Sequence, residues 1–191
     1  MRQRLGLNRR AAAFALGCAW FPGLAWGQTS APRGLVLPRQ PVQDWSLTDD
    51  RGQRTRLVPR LQGKVTAVQL IFTGCSSTCP VQGAVFADVA GRMGSTEARL
   101  LSLTVDPLGD DPKALGAWLD RFGHPANWSA AAPRPDDVEP LASFLRGQSA
   151  GVASHSTQVF LFDRQARLAF RTVAMPSAAH VAALLGQLLQ A

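Results

Sequence analysis

The chain has 191 residues, 46% of them hydrophobic and 17% charged, with five Trp and nine Phe; this fits one packed domain with a tail and excludes a disordered or collagen-like chain. The formal charge is +7, yet Arg2, Arg4, Arg9 and Arg10 precede the first acid, and the chain beyond residue 27 holds 16 basic against 13 acidic residues. The excess belongs to the leader, and with no basic and aromatic stripe elsewhere the composition argues against a nucleic-acid partner.

Residues 1–27 have the order of a secretory signal: an arginine-rich start, the uncharged run AAAFALGCAWFPGLAWG, and small residues Ala25 and Gly27 ahead of a cut before Gln28. Two other readings stay open. The run reaches the lower end of the roughly 17–25 residues that span a bilayer, so an uncleaved anchor is one. Lipoprotein-type cutting and acylation at Cys18, after Leu16 and Gly17, is the other. Each puts the domain outside the cytoplasm, in the periplasm or on the outer face of a bacterial inner membrane, with membrane contact only through this leader.

Residues 28–43, with Pro32, Pro38 and Pro41 and no apolar period, read as an extended linker, and residues 44–191 as the domain. Short apolar runs either side of Asp50-Arg51-Gly52 predict an N-terminal hairpin over 45–58. Val65 to Phe72 is a buried strand. Val81, Val85, Val89 and Met93 recur at helical spacing after Pro80, which a first helical turn tolerates. Leu100 to Val105 is a second strand. Asp111 and Pro112 can cap and open a helix with Leu115, Trp118, Leu119 and Phe122 on its apolar face. An Ala/Pro loop then leads to a weaker helix over 136–145. Thr157 to Phe162 and Ala166 to Val173 form a second hairpin, and Ser177 caps a last helix carrying Val181, Leu184, Leu185 and Leu188. This order predicts an α/β sandwich with a central mixed sheet.

Beyond the leader the cysteines are Cys75 and Cys79, in FTGCSSTCP between a buried strand and a helix start. Unpaired helix N–H groups there lower a thiol pKa and supply thiolate, which is both nucleophile and metal ligand. A structural disulfide is the alternative, although so short a loop restricts the unfolded chain little. The spacing is not the Cys-x-x-Cys of thioredoxin-like reductants, and the threonine or serine run of peroxiredoxins is absent. Two sulfurs under-coordinate most metals, so a third ligand is sought among three His. His124 at a helix end and His180 on the last helix read as surface residues, whereas His155, before a strand, can face another loop.

The stretches WSLTDDRG, FTGCSSTCP, LTVDPLGDDPKALGAWLDRFG and SHSTQVFLFDRQARL, in this order, resemble the Sco/SenC family of copper proteins, which help build the binuclear copper site of cytochrome c oxidase. The likeness runs from about Trp45 to Val173. It implies a thioredoxin-like sandwich with helices on both faces, and copper held by Cys75, Cys79 and His155. Ser154 stands where family members commonly have Asp, so a carboxylate that could orient the imidazole is missing. Asp111 replaces Thr in the run Asp106-Pro107 to Pro112, whose acids read as caps and loop formers.

Two thiolates and an imidazole suit Cu(I) and can also hold Cu(II), whereas zinc lacks a clear fourth ligand. The resemblance therefore implies an extracytoplasmic copper chaperone whose partner is the oxidase subunit with the binuclear copper site. A thiol-disulfide oxidoreductase acting on the target's cysteines, or other periplasmic copper and thiol-redox proteins as partners, uses the same pair. A redox or copper sensor would do so too. No hydrolase nucleophile turn is present.

Overall fold

The computed structural model describes residues 33–94, 97–147 and 156–191. The leader, with Cys18, and Ser154 and His155 lie outside the described residues. In chain order the elements are β1 (Gly34–Pro41), β2 (Ser46–Asp49), β3 (Arg54–Arg56), α1 (Leu57–Leu61), β4 (Val65–Ile71), α2 (Thr78–Met93), β5 (Ala98–Thr104), α3 (Pro112–Asp120), β6 (Trp128–Pro133), α4 (Val138–Arg146), β7 (Val159–Phe162), β8 (Arg167–Arg171) and α5 (Ala178–Gln190).

They form one eight-stranded sheet in the order β1-β8-β7-β4-β5-β6-β2-β3. The pairs β4–β5 and β5–β6 are parallel and all others antiparallel, so the sheet is mixed, as expected. β4 is central and buried at every position, because helices cover both of its faces. On one face Val65, Ala67 and Ile71 pack with Phe86 and Val89 of α2, Trp118 of α3 and Val181 of α5. On the other Val68 and Leu70 pack with Leu57 and Leu61 of α1 and Leu141 and Leu145 of α4. The alternation of strand side chains thus serves two cores from one run of residues.

The first core is held by aromatic contacts. Phe86 and Trp128 have centroids 5.6 Å apart, and Phe122 lies 5.0 Å from Trp118 and 5.5 Å from Trp128. Gly83 admits this cluster, since a Cβ there would sit 2.3 Å from the Phe122 ring. Buried among these rings, the Gln69 amide N–H and the Trp128 indole N–H both donate to Ser102 Oγ, at 2.8 and 2.9 Å, which satisfies both donors.

Three elements differ from the expectation. Within the stretch read as an extended linker, residues 28–43, Gly34–Pro41 is a sheet strand paired with β8. It is a terminal strand, where Pro38 and Pro41 cost no ladder bond, and only Val36 among its side chains is buried, which is why no apolar period appears. The Ala/Pro loop is instead β6: Trp128–Pro133 has weak strand propensity but is enclosed by β5 and β2. On α2 the buried face runs through Cys79, Gln82, Gly83, Phe86, Val89, Ala90 and Met93, and Val81, expected on that face, is 52% exposed.

The hairpin β2–β3, the hairpin β7–β8 and the Asp111 and Ser177 caps are all present: Asp111 accepts from the Ala114 N–H at 2.7 Å and Ser177 from the His180 N–H at 3.3 Å.

Candidate metal centre

β4 ends at Ile71 and α2 begins at Thr78, so Phe72 to Ser77 must turn the chain from the sheet into the helix. The turn is tight: the Cys75 N–H donates to the Phe72 carbonyl at 3.0 Å. A Cβ on Gly74 would come within 2.8 Å of the Phe72 ring, and glycine removes that clash.

The turn is anchored from below by Asp110, which is 2% exposed. Its carboxylate accepts the Thr73 N–H at 3.1 Å and the hydroxyls of Thr73 and Thr104. Backbone and side chain of the residue two before Cys75 are thus fixed to the loop that follows β5. Asp111 and Asp106 act as the caps and loop formers expected of this run; Asp106 takes the Gly109 N–H at 3.2 Å. The deeper role of Asp110 was not expected. The spacing of the acids was visible, but not which of them points inward.

Both cysteines are free thiols, Cys75 half-buried and Cys79 buried at 5% exposure. Their environments drive them apart. The N–H groups of Cys79 and Ser77 and the Ser77 hydroxyl, 3.7 Å from Cys75 Sγ, stabilise charge on that sulfur and bring its pKa down to about 6. Ser77 is the residue before α2 but makes no side-chain cap to the helix, so the hydroxyl is left for sulfur. Burial pushes the Cys79 thiol up to about 11, despite an N–H from Phe72, with the neighbouring Cys75 and Asp110 adding to the rise. At neutral pH the metal-free pair is one thiolate facing outward and one thiol facing inward.

The expected sulfur pair is therefore brought together in one turn. His155 lies outside the described residues. A small cleft beside Cys79 is lined by Thr78, Gln82, Val105, Ser156 and Thr157, so the residue that follows His155 in sequence borders the inner cysteine. His124 and His180 are surface residues, as expected: the His124 ring pairs with Asp120 at 2.8 Å, and His180 is exposed on α5. Among the described residues no group of three or more His, Cys, Asp or Glu side chains could hold a metal ion. Among them, too, no helix is long and apolar enough to cross a membrane.

The sequence model of the SCO1/SenC family matches residues 37–190. The chain belongs to the SCO1/SenC family. No curated protein matches it in sequence. A solved SCO1/SenC family lipoprotein from Bacillus anthracis is 19% identical, covers 80% of this chain and 96% of its own, and overlays with a TM-score of 0.67. The copper-bound ScoI of Bradyrhizobium japonicum is also 19% identical, covering 78% and 99% with a TM-score of 0.63. BsSco, described as a member of the Sco family of cytochrome c oxidase assembly proteins with a disulfide switch, is 20% identical, covers 78% and 94%, and gives 0.66. These overlays show the fold, the thioredoxin-like sandwich of Sco proteins. The SCO1/SenC match begins within β1 and ends in α5, so it takes in seven strands and every helix described above.

Proposed function

We propose that this SCO1/SenC protein is an extracytoplasmic copper carrier that holds its cargo through Cys75, Cys79 and His155 and delivers it to the binuclear copper site of cytochrome c oxidase. Residues 1–27 serve as the export leader and the folded domain follows. The observation that carries the reading is the dithiol turn: two sulfurs at one strand-to-helix junction, that of Cys75 on the loop, ionised at neutral pH and open to a partner, that of Cys79 in the first turn of α2 and walled in. Soft thiolates of this kind fit copper by donor chemistry. The position of Ser156 in the cleft beside Cys79 supports an imidazole from the preceding residue as the third donor, and the copper-bound relative supports the cargo.

In this reading Cys75 receives copper first, because its thiolate is free and reachable. Cys79 must lose its proton to bind, so loading releases a proton and weakens in acid. A site with few protein ligands lets an incoming donor add before an outgoing one departs, which favours handover over retention.

The test is copper stoichiometry and spectrum of the reduced protein beside Cys75→Ser and His155→Ala. One copper per chain, lost in Cys75→Ser, is the expected result. His155→Ala should lose the coloured Cu(II) complex and weaken Cu(I) less; an unchanged Cu(II) spectrum removes His155 from the site. Zinc in preference to copper would overturn the reading.

A second reading is favoured by the same asymmetry: a low-pKa Cys75 with Cys79 behind it is the arrangement of a thiol-disulfide reductant. Here the Cys75 thiolate attacks a target disulfide and Cys79 resolves the mixed disulfide, so the target gains the two electrons the pair loses. Disulfide reduction that survives His155→Ala, with no copper retained by wild type, would favour it.

A further inference from the structure

Buried side-chain nitrogens and oxygens without a hydrogen-bond partner among the described residues belong to Thr66, Gln69, Gln82, Trp118 and Arg146. The Gln82 amide nitrogen is the one that borders the dithiol. Gln82 is 2% exposed and follows Cys79 by three positions on α2, so the two side chains share the buried face of that helix. Both line the cleft of about 10 Å³ that also touches Thr78, Ser156 and Thr157. So small a void is at the lower limit for a single water molecule, which makes solvent a poor partner for the amide.

The hydroxyls across the cleft are engaged elsewhere. Ser156 Oγ takes the Gln158 N–H at 3.3 Å and lies 3.4 Å from the Gln158 side-chain oxygen, and Thr157 Oγ1 takes the Met175 N–H at 3.2 Å. A buried N–H without an acceptor costs free energy, and a protein that keeps one has a use for it in another state. The group in this cleft whose demand changes with state is the Cys79 sulfur. As a thiol it is a weak acceptor that already has the Phe72 N–H. As a copper ligand it is a thiolate, and at 5% exposure it has little water to stabilise the charge.

We infer that Gln82 is a positioning residue for the inner copper ligand, its side-chain amide donating an N–H to the Cys79 sulfur when copper is bound there. The inference rests on the copper reading above and deepens it. A hydrogen bond to a ligating sulfur draws charge from it and fixes its orientation, and partners of this kind tune both the strength and the electronic character of the metal bond.

A structural explanation competes with this one: an amide that fills space on α2 and bonds the Thr78 hydroxyl one turn earlier. That role acts in the metal-free protein, and the experiment separates the two. Reduced full-chain wild type, Gln82→Leu and Gln82→Asn are compared by thermal unfolding without metal, by Cu(I) competition against a chelator, and by absorption of the Cu(II) complex. Metal-free Gln82→Leu should unfold no more easily than wild type, because it discards a donor that has no acceptor. It should still bind one copper but hold Cu(I) about tenfold more weakly. Its sulfur-to-copper absorption band should move to longer wavelength, since the sulfur keeps more of its charge. Gln82→Asn, with an amide on a shorter stem, should fall between.

Cu(I) affinity and absorption band both unchanged in Gln82→Leu would overturn the proposal and leave the copper reading standing. Metal-free Gln82→Leu that melts below wild type, with the band unmoved, would assign the residue to packing and overturn it as well. Wild type that holds no copper would overturn the copper reading and this inference together.

Discussion

Asp110 and Thr73 are joined twice, by the backbone N–H of Thr73 at 3.1 Å to one carboxylate oxygen and by its hydroxyl to the other. The residues lie 37 positions apart in the chain, and this contact fixes the height at which the cysteine turn leaves the sheet. Asp110→Ala would strand the Thr73 and Thr104 donors in a buried place, at about 2–4 kcal/mol. Asp110→Asn keeps an acceptor for the Thr73 N–H and should cost less. Urea unfolding gives the stability order wild type, Asn, Ala. Cys75 alkylation in the native state should slow in Ala, whose turn no longer holds the sulfur at its N–H donors.

Alkylation of wild type should report the two thiols separately. Because the thiolate is the nucleophile and Cys75 titrates at about 6, its rate should rise with pH and level off above that value, falling about tenfold per unit below it. Cys79, at about 11, should remain unlabelled through neutrality. Mass spectrometry of peptides after brief iodoacetamide treatment checks this; labelling of Cys79 first would contradict the assigned asymmetry.

Oxidation and copper loading should exclude each other. Joining Cys75 and Cys79 as a disulfide removes two electrons and two protons and leaves no thiolate to bind metal. Protein treated with a stoichiometric disulfide-forming oxidant should carry no Cu(I) through gel filtration, and dithiothreitol should restore it. Conversely, copper-loaded protein should resist the oxidant.

Acid sensitivity should concentrate at Asp163. Burial works against its charge, but the Arg167 N–H and the Arg39 and Arg167 guanidiniums outweigh that and hold the carboxyl below the ordinary range. A lowered native pKa contributes stability that is present above the unfolded-state value, near 4, and is lost as pH falls through the native one. Asp163→Asn should therefore be less stable than wild type at neutral pH, with the difference shrinking below about pH 4 in urea titrations.

Much of this molecule is legible in its residues. The continuous apolar run of β4, the caps at Asp111 and Ser177 and the hairpin turns each carry a local signal, and FTGCSSTCP announces a reactive dithiol. What is not legible depends on neighbours. β6 is an alanine-rich stretch made a strand by β5 and β2, and β1 is recruited by β8 despite its prolines. On α2 the valine repeat holds at Val85, Val89 and Met93 but fails at Val81, because Phe86 and Gly83, set by the ring of Phe122, decide how the first turns of the helix seat. Asp110 among three nearby acids is distinguished only by where Thr73 and Thr104 stand. The histidine of the proposed ligand set was singled out by its place before a strand, and the family resemblance strengthened that choice.

In the proposed copper reading, the unequal burial of Cys75 and Cys79 gives this turn a polarity. Exchange at such a pair would be ordered in time: bonds would be made and traded at the outer sulfur, while the inner one would let go last. The slow step of a handover would then be governed by how firmly α2 seats against the sheet, which places control of residence time in the aromatic packing around Phe86, remote from any contact with the recipient.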